Sequence, residues 1–220
     1  MKRTLGILVC CIFFATQALA AWEKEMAAFK KLDEENPPQP GLTLFVGSST
    51  FTIWKSMQKD MPDIPLINRG FGGSQVTDLI EHFDTVIAPY DPRHIVIYEG
   101  DNDLASGKAP DLVLNNYKKL LETIRERYVQ VPVTIVSVKP SEARRDKIEN
   151  MSELNQKLNV WASLTDNLYY LNTFDITVNG EGKPIPEYYQ KDNLHLNQTG
   201  YKAWARKIAE HIKKVDQIIK

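Results

Sequence analysis

The chain has 220 residues with 27 basic and 28 acidic side chains, which gives a formal net charge of −1 at pH 7. This balance lacks the basic field that nucleic acid or an anionic membrane surface requires, so we expect no nucleic-acid partner. The length suffices for one ordinary globular domain.

The first twenty residues have the layout of a secretory signal peptide. Lys2 and Arg3 precede an apolar run over residues 5–15, and a small-x-small exit ends at Ala20. The run is shorter than the roughly 20 apolar residues of a membrane span, with a retained N-terminal anchor as the alternative. Cleavage after Ala20 predicts an exported protein, periplasmic or extracellular, with no membrane span in its mature form.

Cysteine usage and a proline-rich segment complete the expected domain plan. Cys10 and Cys11 are the only cysteines, and both lie in the predicted signal peptide, so the mature chain must depend on an ordinary apolar core. Apolar residues spaced from Trp22 to Leu32 predict a short helix, which must end before the proline-rich segment 36–41. We therefore expect a signal peptide over residues 1–20, a helix and linker over 21–41, and one domain over 42–220.

Short apolar runs alternate with helical periodicity through the remainder of the chain. Five strands are predicted at 42–46, 64–68, 95–98, 133–138 and 168–171. Helices are predicted at 75–88, at 110–128 and at 148–161, and a last helix runs to Val215. Ser74 is the expected cap of the first of these helices, Pro110 opens the second, and Asn197 caps the last.

Strands that alternate with helices indicate βαβ units and a parallel sheet that is covered on both faces. Pro65 cannot donate to a sheet ladder, which favours an edge position for the second strand. The fold class is therefore α/β, a single three-layer α/β/α domain with a five-stranded parallel sheet in the flavodoxin-like order 2-1-3-4-5.

Polar and glycine-rich clusters follow the predicted strands, at the rim where an open parallel sheet binds ligands. They are GSST at 47–50, NRGFGGS at 68–74, EGDND at 99–103 and DNLH at 192–195. Taken singly, each also fits an ordinary cap, a tight turn, a solvated acidic loop or a local Asp-His hydrogen bond. Their coincidence on one rim predicts a functional site there.

The four histidines differ in how well they suit the role of general base. His82 lies in a predicted helix beside acidic residues, which favours a surface position. His94 opens a strand, and His211 lies late in the last helix, where a cation suits the helix dipole. Only His195 lies in a strand-to-helix loop on the rim, three residues after Asp192.

Together, these segments resemble the sequence blocks of the SGNH hydrolases, also called Gly-Asp-Ser-Leu esterases, over nearly the whole chain from residue 42. The string GSS at 47–49 stands where that family has Gly-Asp-Ser, so the resemblance makes Ser49 the nucleophile, with Ser48 in place of the usual Asp. In the second block, FGG at 71–73, the matching glycine is Gly73. The third and fourth blocks are present as GDND at 100–103 and as Asp192-x-x-His195.

The resemblance implies a serine hydrolase site. Ser49 would attack the ester, His195 would accept its proton, and Asp192 would fix the histidine tautomer. The N–H groups of Ser49 and Gly73 and the amide of Asn102 would form the oxyanion hole. No cofactor and no metal ion are expected.

The expected function is that of a secreted esterase that acts on short-chain esters or on acetyl esters of carbohydrates. Its expected partner is therefore a small-molecule or carbohydrate ester substrate. The alternatives on the same site are a lysophospholipase-like or thioesterase-like hydrolase and an acyltransferase. A non-catalytic binding module and a nucleotide binder are further alternatives, although no phosphate-binding glycine motif is present. A metal hydrolase would use the set Asp101, Asp103, Asp192 and His195.

Several flanking residues are expected near the site. Arg69 and Phe71 are candidates to shape the substrate pocket, and the segment 139–141 is expected to line the site. The stretch 180–191, with Tyr188 and Tyr189, is a candidate wall or lid, and plain loop packing is the competing interpretation.

Overall fold

The computed structural model describes residues 22–218, and the predicted signal peptide lies outside this range. The chain divides into two compact units, Met1–Pro38 and Gln39–Lys220. The described part of the first unit is a helix, α1, over residues 22–35. Its end is marked by a hydrogen bond of 2.8 Å from Asn36 N to Leu32 O, directly before the prolines.

The second unit is built on a parallel sheet of five strands. They are β1 Thr43–Gly47, β2 Leu66–Asn68, β3 His94–Tyr98, β4 Val133–Val136 and β5 Leu168–Leu171. Their order is β2-β1-β3-β4-β5, and every pair is parallel. The predicted topology is confirmed, and Pro65 lies just before the edge strand β2, where no ladder donor is required.

Helices follow the strands in the alternating pattern that the sequence predicts. They are α2 Ser49–Thr52, α3 Met57–Asp60, α4 Val76–Glu81, α5 Phe83–Val86, α6 Asp101–Ala105, α7 Pro110–Arg127, α8 Ile148–Ser163 and α9 Gln198–Ile218. Asn197 caps α9 as predicted, since its Oδ1 accepts hydrogen bonds from Thr199 N at 2.8 Å and Gly200 N at 3.2 Å. Pro110 is the first residue of α7, as expected.

The predicted helix 75–88 was wrong in two details. It breaks at His82, which separates α4 from α5, and its N-terminus is capped at Gln75 rather than at Ser74. Gln75 takes the role expected of Ser74, and its backbone N–H donates in return to the Asp78 carboxylate at 2.8 Å, which completes a capping box. The Ser74 hydroxyl is used elsewhere, as described below.

Both faces of the sheet are covered. On one face, Phe45, Val96, Tyr98 and Val136 belong to a buried cluster with the apolar side of α9 and with residues of α2 and α3. On the other face, α4 contacts β1, α8 contacts β5, and α7 packs between α4 and α8. This packing leaves the carboxyl ends of the strands to the loops that carry the polar clusters. Within residues 22–218, no helix is long and apolar enough to cross a membrane.

Candidate active site

The turn from β1 to α2 places Ser49 at the carboxyl end of a central strand. It depends on Gly47, which has φ +142°; a Cβ built there would lie 2.0 Å from the Tyr98 carbonyl oxygen. Only glycine can occupy this close contact between β1 and β3. Ser48 N then donates to the same Tyr98 oxygen at 3.2 Å, and Ser49 becomes the first residue of α2. Its N–H is therefore one of the helix donors that have no intrahelical partner.

His195 lies within hydrogen-bond distance of both Ser49 and Asp192. Its Nε2 is 3.0 Å from Ser49 Oγ, and its Nδ1 is 2.6 Å from Asp192 Oδ2. A carboxylate can only accept a hydrogen bond, so Nδ1 carries the imidazole proton and Nε2 is left to accept the serine proton. The structure thus brings together, from opposite ends of the chain, the three residues that the sequence selected as a triad.

Asp192 is held in its orientation by the backbone of its own loop. Its Oδ1 accepts hydrogen bonds from Leu194 N at 2.9 Å and from His195 N at 3.0 Å, while Oδ2 faces the imidazole. Partial burial opposes ionisation, but the hydrogen bonds from His195 and the two backbone groups outweigh it and lower the pKa of Asp192 to about 2. The carboxylate therefore stays charged throughout the pH range in which a histidine base works.

The other two predicted donors, Gly73 and Asn102, lie in the segments that follow β2 and β3. Gly73 has φ +82°, and a Cβ there would meet nothing within 4 Å, so the residue faces open space. A Cβ on neighbouring Gly72 would lie 4.0 Å from the Ser49 side chain, which places this loop beside the nucleophile. Asn102 is the second residue of α6, and its Nδ2 donates to the Ser74 carbonyl at 2.9 Å.

A buried group of charges lies next to these residues, and sequence reasoning missed it. Arg144 donates through Nη2 to Asn102 Oδ1 at 2.8 Å and through Nη1 to Asp101. Lys139, whose side chain is 0% exposed, reaches Asp101 Oδ2 at 3.3 Å and the Leu194 carbonyl at 2.8 Å. Burial opposes the charge of Asp101, but Lys139 and Arg144 together lower its pKa. The sequence predicted that Lys139 lines the site, whereas its side chain is buried behind it and contacts Asp101 and the loop of His195.

Glu99 is a second buried group that the sequence did not single out. Its Oε1 is 2.5 Å from Ser74 Oγ, which itself is 2.9 Å from the Phe71 carbonyl oxygen. One hydroxyl proton cannot serve both acceptors. Burial raises the pKa of Glu99 well above its ordinary value. A neutral Glu99 that donates to Ser74, which donates in turn to Phe71, satisfies both contacts.

Other residues expected near the site are engaged elsewhere. Arg69 is buried and donates to the Tyr90 hydroxyl at 2.5 Å, and Phe71 is fully buried, so neither shapes a pocket as predicted. Tyr189 is also buried, and its hydroxyl donates to the Pro140 carbonyl at 2.5 Å, which favours loop packing over a stacking surface.

The remaining histidines lie apart from the site. His94 and His211 approach Thr134 Oγ1 from two sides, at 2.8 Å and 2.9 Å. Burial lowers the pKa of His94 to about 3 and that of His211 to about 4. The expectation that His211 serves as a cation at the end of its helix is therefore not met, because burial and the neighbouring Lys214 both disfavour the charged imidazole.

Across residues 22–218, no group of three or more His, Cys, Asp or Glu side chains is arranged to hold a metal ion. Two of the carboxylates proposed for such a site have cationic partners instead. Asp101 pairs with Lys139 and Arg144, and Asp103 pairs with Lys108 at 2.9 Å.

A three-layer α/β/α fold with Ser, His and Asp joined at the strand ends defines the class of SGNH-type serine hydrolases. The chain belongs to the GDSL-like lipase/acylhydrolase family, whose sequence model matches residues 46–203. That range begins within β1 and ends within α9, so it includes all five predicted site residues.

Solved structures with the same fold cover nearly all of the described chain. A Streptococcus pneumonia protein named after platelet activating factor superposes with a TM-score of 0.82 at 21% identity, over 93% of this chain and 98% of that one. A GDSL-like lipase from Bacteroides thetaiotaomicron gives 0.74 at 24% identity, over 86% and 99%. A family 3 carbohydrate esterase from Clostridium thermocellum gives 0.66 at 12% identity, over 82% and 99%. No curated protein matches the sequence.

Proposed function

We propose that this protein hydrolyses short-chain acyl esters, with acetyl esters of carbohydrates as the favoured substrates, through an acyl-enzyme intermediate on Ser49. The observation that carries the proposal is the continuous hydrogen-bonded path from Ser49 Oγ through His195 to Asp192, at 3.0 Å and 2.6 Å. A hydroxyl is a weak nucleophile until a base accepts its proton, and this path supplies both the base and its orienting carboxylate.

The reaction would proceed in two halves. Ser49 Oγ attacks the ester carbonyl carbon as its proton passes to His195 Nε2, and the tetrahedral intermediate collapses when the imidazolium returns that proton to the leaving alcohol. Water then repeats the sequence on the acyl-serine, and release of the carboxylic acid restores the free hydroxyl. Asp192, ionised down to a pKa of about 2, stabilises the imidazolium in both halves.

Negative charge on the carbonyl oxygen needs hydrogen-bond donors that are in place before the reaction. Ser49 N–H, as an unpaired first-turn donor of α2, is one candidate. The Asn102 amide is another, since one of its two N–H bonds is directed at Ser74 and the second remains. Gly73, which faces open space, is the third.

The preference for small substrates rests on two observations. A cavity of about 240 Å³ lies between the segment after α2 and the residues around His195; its lining is Ile53, Lys55, Ser56, Gln190, Leu196, Asn197, Gln198 and Tyr201. Its small volume suits a small substituent better than a long acyl chain, and its lining is polar and apolar in nearly equal parts. In addition, carbohydrate esterases and an acetyl esterase occur among proteins of the same fold.

Export forms part of the same proposal. It rests on the charged start, apolar run and small-x-small exit of residues 1–20, which lie outside the described residues. Acylated sugars in the periplasm or outside the cell are the substrates that an exported enzyme of this kind would meet.

The test is hydrolysis of 4-nitrophenyl acetate and of a panel of acetylated sugars, with analysis of the products for free acetate against transferred acetyl. Ser49→Ala should lower kcat by at least about 10⁴-fold, because the remaining donors and binding contacts supply only a residual rate. Ser48→Ala is the matched control and should stay within about tenfold of the wild type, since the contacts seen for Ser48 are made by its backbone.

Two results would contradict the proposal. If Ser48→Ala were inactive and Ser49→Ala active, the assignment of the nucleophile would be wrong. If both variants kept the kcat of the wild type, the reaction would not proceed through an acyl-serine intermediate on either residue. Intact-mass analysis after an organophosphorus inhibitor should find a single adduct, located on Ser49 by peptide mapping and absent from Ser49→Ala.

A further inference from the structure

We infer that Arg144 is a positioning residue that fixes the polarity of the Asn102 amide, and that the buried Asp101–Lys139 pair holds Arg144 in place for this task. The inference rests on the proposed function, because it assigns Asn102 to the oxyanion hole. Arg144 lies outside the four sequence blocks that mark the site, in the 3₁₀ segment Glu142–Lys147 after β4.

The two ends of the Asn102 amide have unlike partners. Its oxygen accepts from Arg144 Nη2 at 2.8 Å, and its nitrogen donates to the Ser74 carbonyl at 2.9 Å. Rotating the amide by 180° would set an NH₂ group against a guanidinium and an oxygen against a carbonyl oxygen, so both contacts would become repulsive. Arg144 therefore selects the orientation in which the remaining N–H of Asn102 is available to an oxyanion.

Arg144 is itself held by charges that are excluded from water. Its Nη1 binds Asp101, whose side chain is 6% exposed, and the opposite carboxylate oxygen of Asp101 receives the fully buried Lys139. One carboxylate thus lies between two cations. Asp101 therefore fixes the guanidinium of Arg144 through the nitrogen that does not bind Asn102.

The same segment also contacts the loop of the base. Lys139 donates to the carbonyl of Leu194, the residue before His195, at 2.8 Å. Ala143 N, next to Arg144, donates to the Asn193 carbonyl at 3.1 Å. The segment after β4 is therefore bonded to Asn102 on one side and to the loop of His195 on the other, which sets the spacing between the oxyanion donor and the base.

The geometry requires arginine rather than any cation. A planar guanidinium can donate to Asp101 and to Asn102 at once through two nitrogens, whereas a lysine ammonium is a point charge that cannot reproduce the fork. Arg144→Lys should therefore keep the charge and recover only part of the function that Arg144→Met loses.

A double-mutant cycle on ester hydrolysis tests the inference. Asn102→Ala alone should lower kcat by about 10²-fold to 10³-fold. Arg144→Met alone should lower kcat by about 10-fold to 100-fold with KM changed less than about threefold, because the loss falls on transition-state stabilisation. Added to Asn102→Ala, Arg144→Met should cost less than about threefold more, since its target is already absent.

Arg145→Met is the matched control, because its neighbouring guanidinium is 75% exposed and pairs only with Glu142 among the ion pairs of the described residues. It should leave kcat unchanged. Melting temperatures of all variants separate loss of fold from loss of rate. An Arg144→Met variant that fails to fold is replaced in the cycle by Arg144→Lys, with the same expectation of non-additivity.

The outcomes distinguish this inference from the proposed function. Losses that multiply independently in the double variant would overturn the positioning role of Arg144 and leave the esterase assignment intact. A raised KM with unchanged kcat would also overturn it, since Arg144 would then bind substrate directly. Absence of Ser49-dependent hydrolysis in the wild type would overturn the proposed function, and the inference with it.

Discussion

Replacing Glu99 with glutamine should change how the stability of the protein depends on pH. Burial raises the pKa of Glu99 well above its ordinary value of 4.5, so the folded protein keeps this carboxyl neutral where the unfolded chain ionises it. A raised folded-state pKa contributes stability that is fully present below the unfolded value and is lost as the pH rises towards the folded value. Glutamine has the same shape but does not titrate, so the variant is free of this loss.

The size of the effect follows from proton linkage. Between the two pKa values, each pH unit lowers the stability of the wild type by about 1.4 kcal/mol relative to Glu99→Gln. From pH 5 to pH 7 the difference should therefore change by up to about 2.7 kcal/mol in favour of the variant. The Ser74 contact should survive, because the glutamine NH₂ can donate to the Ser74 hydroxyl as the neutral acid does.

The assay is urea unfolding followed by tryptophan fluorescence at pH 5, 6, 7 and 8. The difference in free energy of unfolding between variant and wild type removes the titration of all other groups, which the two proteins share. Glu142→Gln is the matched control, because it makes the same substitution on a side chain that is 47% exposed. A flat difference for Glu99→Gln would refute the reasoning, since it would show that Glu99 ionises normally in the folded state.

Three further predictions concern the base, the buried lysine and the paired histidines. Asp192→Asn should lower kcat on 4-nitrophenyl acetate by about 10³-fold to 10⁴-fold. The reason is that an amide NH₂ facing His195 favours the histidine tautomer that cannot accept the Ser49 proton. An unchanged kcat would contradict this. Lys139→Met should lower the free energy of unfolding, measured by urea denaturation, by about 3 to 5 kcal/mol, because it removes one partner of a buried ion pair. A change below about 1 kcal/mol would show that the Asp101 carboxylate does not depend on the charge of Lys139. The pKa values of His94 and His211 are lowered to about 3 and about 4, so the stability that these residues contribute above about pH 6.5 should be lost as the pH falls towards 4. His211→Gln should lessen this loss in acid unfolding curves. Identical curves for the variant and the wild type would contradict the burial of His211.

Local patterns were enough to predict the sheet and its strand order. Each strand is a short apolar run, and the helices between them have clear 3.6-residue periodicity, so alternation alone indicated a parallel sheet. The break at His82 was not visible, because the apolar spacing continues through it and only backbone angles show the interruption. The short helices α2, α3 and α6 contain too few residues for periodicity to show.

The candidate site residues were selected from the sequence where they form recognisable blocks. Ser49, Asp192 and His195 are hydrogen-bonded to one another in the structure, and Asn102 is bonded to Ser74, at the end of the glycine segment beside Ser49. Arg144 could not be found in this way, because it contacts Asn102 across 42 residues of chain and nothing in its neighbourhood marks it. An arginine among other charged residues is ordinarily a solvated side chain, and only the fold gives it a buried partner.

The acidic run 99–103 was assigned to the rim of the sheet, but the burial of its carboxyl groups was not foreseen. Its sequence is that of a solvated loop, yet Glu99 and Asp103 are 0% exposed and Asp101 is 5% exposed. Each carboxyl is accommodated by a different partner: a hydroxyl for Glu99, two cations for Asp101 and Lys108 for Asp103. Lys108 is a local partner, but Ser74, Lys139 and Arg144 come from distant parts of the chain, so composition alone could not reveal them.

The contact between Gly47 and Tyr98 has a practical consequence for engineering new specificity. Because the Gly47 backbone must lie against another strand, any side chain at position 47 would push the nucleophile out of register whatever residues surround it. A mutant library should therefore keep that position fixed and randomise residues of the neighbouring cavity, such as Ile53, Lys55 and Gln190, instead. Variation there leaves the Gly47 contact, and with it the position of Ser49, unchanged.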